Sequence, residues 1–245
     1  MKNIFATATI KTLLLATGIA TLSASNAMAF SETEFKTAVK QLVTAPTISQ
    51  EQYVANAVSA WLNQDYINSL EQAEIDANRT ANQQTASTFN NMLQQEPGNP
   101  LLRSYAGAAI AKSSLDKLAK GEKATALEDG TTMVEKALRL SNDSQTMHGS
   151  VPVALEVRFV AASTYLAMPK IMNRHDKGEQ LLKDVIDAQQ FAQIDVNFRG
   201  AVWMRAATLA EEKNRADEAK KYLNEIVKNN APQAQKAAQL LQTLS

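Results

Sequence analysis

The chain predicts an all-α protein built as a stack of antiparallel helix hairpins. Three observations carry this. Apolar residues recur at helical spacing through nearly the whole mature region, no segment alternates apolar and polar residues as a strand would, and proline-containing breaks cut the pattern into hairpin-length pieces. A lone hairpin cannot bury its apolar face, so hairpins that recur every few tens of residues read as a solenoid.

The first element is an export signal. Met1–Ala29 carries Lys2 and Lys11 without an acid, an apolar core around Thr12–Leu22, and Ala27-Met28-Ala29 ahead of Phe30. Cleavage after Ala29 is expected, and the core is shorter than the ~20 residues a bilayer span needs, so no stable membrane insertion is expected afterwards. Cleavage removes two of the 25 basic residues and none of the 25 acidic ones, leaving 23 against 25. That balance argues against nucleic acid, whose binders carry a basic excess to displace counterions from phosphates. The absence of cysteine removes a lipid-modified N-terminus, thiolate metal ligands and a cysteine nucleophile. A soluble periplasmic protein is the expectation, with secretion as the weaker alternative.

The mature region then divides into helices in order. Ser31-x-x-Glu34 is a capping box opening a helix whose stripe is Phe35, Val39, Leu42 and Val43. Ala45-Pro46-Thr47 ends it. Ser49-x-x-Gln52 opens another, with Tyr53, Val54, Ala57, Val58, Trp61 and Leu62 on one side. Tyr66–Gln95 is rich in asparagine and glutamine, yet Ile67, Leu70, Ala73, Ala77, Phe89 and Leu93 keep helical spacing and predict one long helix or two nearly collinear ones, with a disordered polar tract as the competing reading. Glu96-Pro97-Gly98-Asn99-Pro100 breaks the chain, with Asn99 as cap and Pro100 in the first turn of the next helix. Residues 30–98 thus form an N-terminal helical region, and 99–245 a repeat region.

That repeat region holds three helix pairs. The first has the small residues Tyr105-Ala106-Gly107-Ala108-Ala109, Gly121 as a stop, then Leu127, Val134 and Ala137. A second pair starts at Pro152, with Leu155, Phe159, Ala162 and Leu166 before Pro169 and Leu181, Leu182, Val185 and Ile186 after it. The third runs through Phe198, Val202, Trp203 and Ala206, then Ala219, Tyr222, Leu223 and Ile226. Pro232 opens a terminal helix that reads as a cap on the stack.

In the third pair, Trp203, Ala206-Ala207, Ala210, Ala219, Leu223 and Ile226 stand at spacings that resemble a tetratricopeptide repeat, with Pro232 one place beyond that repeat's terminal proline. The earlier pairs are spaced at roughly forty residues rather than about thirty-four, so the chain resembles a degenerate member of the tetratricopeptide-like (TPR-like) superfamily. The resemblance implies a right-handed α-solenoid that binds other proteins, and it carries over no catalytic residue. Asn99-Pro100-Leu101-Leu102-x-x-Tyr105-Ala106-Gly107 and Arg158-Phe159 through Leu166-x-x-Pro169 are also similar to a group of small exported bacterial envelope proteins.

Chemistry is sparse. His175 beside Asp176 invites an acid–base reading, but neighbours on a helix point about 100° apart. His148 stands in the loop before Pro152. No His-Glu-x-x-His helix, glycine phosphate loop or serine elbow is present. Glu71, Glu74 and Asp76 lack histidine or a second carboxylate pair to complete a metal site, and read as a solvated face. Trp61, Tyr53 and Trp203 fit a helical core stripe better than a ligand cage. No catalytic residue, metal or cofactor is expected.

In a TPR-like stack the first helix of each pair lines the concave side. Here those helices carry Arg103, Arg158, Arg199 and Arg205 against few acids, Glu156 and Asp195, with Tyr165 two turns beyond Arg158 on about the same face. These five residues are the candidate surface for an acidic protein or peptide partner, because arginine forks two hydrogen bonds onto a carboxylate. The competing reading pairs the arginines with acids on neighbouring helices. The sequence thus predicts a non-enzymatic exported helical-repeat protein that binds a partner, as an adaptor in an envelope assembly. The alternative is an all-helical enzyme or small-ligand carrier with a pocket between its two halves.

Overall fold

The computed structural model describes residues 30–44, 66–114 and 120–244; the side chains of 44, 66–80 and 120 are not among those described. The export signal at Met1–Ala29 and the helix expected from Ser49, with Tyr53 and Trp61, lie outside the described residues. What is described is all-α. The described residues hold nine α-helices, two short 3-10 segments and one minimal hairpin, Met147–His148 paired antiparallel with Val151–Pro152. No helix among the described residues is long and apolar enough to cross a membrane.

The helices fall into two compact units, residues 30–137 and 138–244. The turn at Pro97–Pro100 lies inside the first unit, and the division falls within a helix. The first unit contains α1 (Glu32–Thr44), α2 (Tyr66–Gln95), α3 (Pro100–Ser113) and most of α4 (Lys120–Ser141). Ser31 caps α1, accepting from the Glu34 N–H at 3.3 Å. Residues 66–95 form one continuous helix. Asn99 Oδ1 accepts from the N–H groups of Leu101 (2.9 Å) and Leu102 (3.2 Å), and Pro100 occupies the first turn where its missing N–H costs nothing. Gly121, expected as a stop, instead sits in the first turn of α4. Its neighbours Lys120, Glu122, Lys123 and Ala124 are good helix formers and outweigh the roughly 1 kcal/mol penalty of one glycine.

An aromatic cluster holds this unit together. Phe35 of α1 stands edge-on to Phe89 of α2 (5.9 Å) and Tyr105 of α3 (5.0 Å), while Phe89 stacks on Tyr105 at 5.5 Å. Such pairs add about 0.5–1.5 kcal/mol to their burial. Lys112 of α3 is buried and its ammonium donates to the Leu42 carbonyl in the last turn of α1, where carbonyls lack helical partners and the helix dipole is negative.

The second unit contains α5 (Val153–Ala167), α6 (His175–Ile186), α7 (Val196–Glu212), α8 (Ala216–Lys228) and α9 (Ala234–Thr243). Consecutive pairs α5 with α6, α7 with α8 and α8 with α9 pack against each other. Their core joins Leu155, Phe159, Leu182, Phe198, Val202 and Leu223. Two turns share one device. Asn214 after α7 and Asn230 after α8 take left-handed backbone (φ 57° and 53°), and the next N–H reaches back to a carbonyl five residues earlier, Arg215 to Ala210 at 2.7 Å and Ala231 to Ile226 at 3.1 Å. Both are Schellman endings with asparagine in the place glycine usually takes.

Candidate functional site

The five candidate residues divide between the units. Arg103 belongs to the first; Arg158, Tyr165, Arg199 and Arg205 belong to the second. Arg103 folds back on its own N-cap turn and donates to the Pro97 carbonyl. Arg199 is likewise committed: its Nε donates to the Ile194 carbonyl (2.9 Å), its NH1 to Asn229 Oδ1 (3.2 Å), and its guanidinium lies 5.2 Å from the centre of the Trp203 ring. Those contacts join the start of α7 to the end of α8.

Tyr165 lies inside α5, buried, with the Lys177 ammonium 5.4 Å and the Arg174 guanidinium 5.9 Å from its ring centre. Each cation is within reach of the negative face of the ring quadrupole. Arg205 is also buried, in the middle of α7. Arg158 differs from all of these. It is half-buried on a helix whose other residues from Val153 to Leu166 are buried, and no hydrogen bond or ion pair among the described residues engages it.

The two acids expected near the arginines, Glu156 and Asp195, are occupied elsewhere; α7 also ends in Glu211 and Glu212, and Glu212 Oε1 stands 3.8 Å from Arg205 NH1. Asp195 caps α7, accepting from the Asn197 N–H at 2.8 Å. Glu156, in the first turn of α5, accepts from His148 Nδ1 at 2.7 Å, and both side chains are largely buried. Neither pairs with the arginines. His148 thus fastens the short β-hairpin to α5, a contact across eight residues that no helical spacing reveals. His175 opens α6 and donates from Nε2 to the Met168 carbonyl at 2.7 Å; it is not oriented by Asp176.

A further ion cluster joins α6 to the turn between α7 and α8. Glu179 accepts from Lys213 and from Arg215 (2.8 Å), and Arg215 also meets Glu218 at 3.0 Å. The hydrogen bond from Lys213 is the largest influence holding the Glu179 carboxyl below its ordinary range, with burial opposing and Arg215 assisting. Among the described residues, no group of three or more histidine and carboxylate side chains is placed to hold a metal ion. The chain matches no protein-family model, and neither characterised proteins nor solved structures give a significant match.

Proposed function

We propose that this chain is a non-enzymatic, exported, TPR-like protein, a right-handed stack of helix hairpins that binds an acidic protein or peptide partner in the periplasm as an adaptor for an envelope assembly. The export signal read at Met1–Ala29 and the succession of packed hairpins from α5 to α9 support this reading. The observation that carries it is Arg158, a half-buried arginine without a polar partner among the described residues, on the first helix of a helix pair. A guanidinium in that state forms a forked pair with an incoming carboxylate without first breaking a pair of its own. The partner surface therefore centres on Arg158 rather than on Arg103, Arg199, Tyr165 or Arg205. Affinity capture from envelope extracts, comparing the wild type with Arg158→Ala, tests it. A partner retained by the wild type and lost by the variant supports the reading; equal recovery overturns it.

A further inference from the structure

The least compensated polar group among the described residues is the guanidinium of Arg205. It is 0 % exposed, and its Nε, NH1 and NH2 atoms make no hydrogen bond. The carboxylate within reach is Glu212, two turns on in the same helix, whose Oε1 stands 3.8 Å from NH1, beyond hydrogen bonding. Burial lowers the pKa of Arg205 from its ordinary value and Glu212 partly opposes this. A guanidinium nevertheless stays charged in a protein. The position aggravates the burial: Phe198, Ala201, Val202 and Leu209 share this face of α7, all buried and all in the apolar core.

We propose that Arg205 is the receptor for a small amphiphilic monocarboxylate, an organic acid with one carboxylate and an apolar body, admitted at the Glu212 end of α7. A carboxylate supplies two acceptors in the plane of the guanidinium fork and neutralises its charge. The residues one turn to either side, Ala201, Val202 and Leu209, suit an apolar body, whereas a second anionic group on the ligand would be buried there without a cation. Glu212 marks the entrance, since its side chain is 31 % exposed while Arg205 is sealed. Its carboxylate offsets the Arg205 charge from a distance and gives way to the ligand, turning to solvent. The site is distinct from the partner surface at Arg158.

The test uses the purified protein and sodium octanoate as probe, with sodium acetate and sodium chloride at matched ionic strength, read by calorimetric titration and by the thermal midpoint. Octanoate is expected to bind one per chain and raise the midpoint, acetate to bind more weakly, and chloride to do neither. Glu212→Gln removes the internal competitor and tightens octanoate binding. Arg205→Met weakens it by about tenfold or more, the loss expected of a charge-assisted pair, and this apolar replacement of a buried charge leaves a foldable core. Absence of octanoate binding to the wild type, equal binding by Arg205→Met, or unchanged binding by Glu212→Gln overturns the proposal. Partner capture through Arg158 is measured without octanoate, so either reading can fail alone.

Discussion

Gly107 of α3 and Gly130 of α4 face each other with no side chain between them: a β-carbon built on Gly107 would stand 2.7 Å from the Gly130 carbonyl oxygen, and one on Gly130 2.6 Å from the Gly107 carbonyl oxygen. Because the obstructing atoms are backbone, a side chain cannot simply turn aside. Two helices here approach to backbone contact, and glycine on both is what permits it.

Gly107→Ala is therefore expected to destabilise by about 1–3 kcal/mol through overpacking, against the roughly 1 kcal/mol that alanine returns in helix propensity. Gly121→Ala is the control on α4, since no atom of the described residues lies within 4 Å of a β-carbon there. It should be neutral or stabilising. Urea melts of the two variants decide the matter: equal and favourable effects would mean that α3 and α4 are not in backbone contact.

Trp203 is 6 % exposed, set edge-on to Phe191 at 5.7 Å with Arg199 over its ring. Removing the ring with Trp203→Ala should cost about 3–5 kcal/mol. A melting midpoint unchanged from the wild type would place the indole at the surface.

Lys112→Met leaves the Leu42 carbonyl at the end of α1 without its charged donor, and a loss of about 1–3 kcal/mol is expected even though the buried ammonium is relieved. Hydrogen exchange should show the last turn of α1 opening first. Protection in that turn equal to the wild type would remove Lys112 from the cap.

The Glu179 cluster sets a pH dependence. Its carboxyl titrates below the ordinary glutamate range in the folded protein, so its contribution is complete above that range and is lost as pH falls through the folded value. The wild type should exceed Glu179→Gln in stability at neutral pH, and the two should converge on acidification. A difference that persists unchanged below the carboxylate range would assign it to packing.

Local signals were the legible ones. Asn99 with Pro100 and the Ser31 cap announce helix starts because a cap is made within four residues, and Gly107 announces a close approach because small residues crowd around it. Gly121 misleads, since a breaker's weak preference yields to helix formers on both sides. Asn214 and Asn230 end helices through a left-handed backbone that asparagine tolerates, a weaker mark in sequence than glycine or proline. The Glu179 cluster and the His148–Glu156 pair join residues distant on any helical wheel, so only the fold brings them together. Arg205 did carry a signal: it occupies the fourth place in the run Phe198, Ala201, Val202, Arg205, Leu209, a charge at core spacing. Reading all the arginines as one surface obscures it.

The central claim is that Arg158 meets a carboxylate on a partner. The most direct measurement is the affinity of a captured partner for the wild type and for Arg158→Ala by calorimetric titration at low and moderate salt, with thermal melts alongside. The account predicts weaker and less salt-sensitive binding by the variant, with the melt unchanged. Unchanged affinity at both salts, with a lowered melt, would contradict it and return Arg158 to the structure of α5.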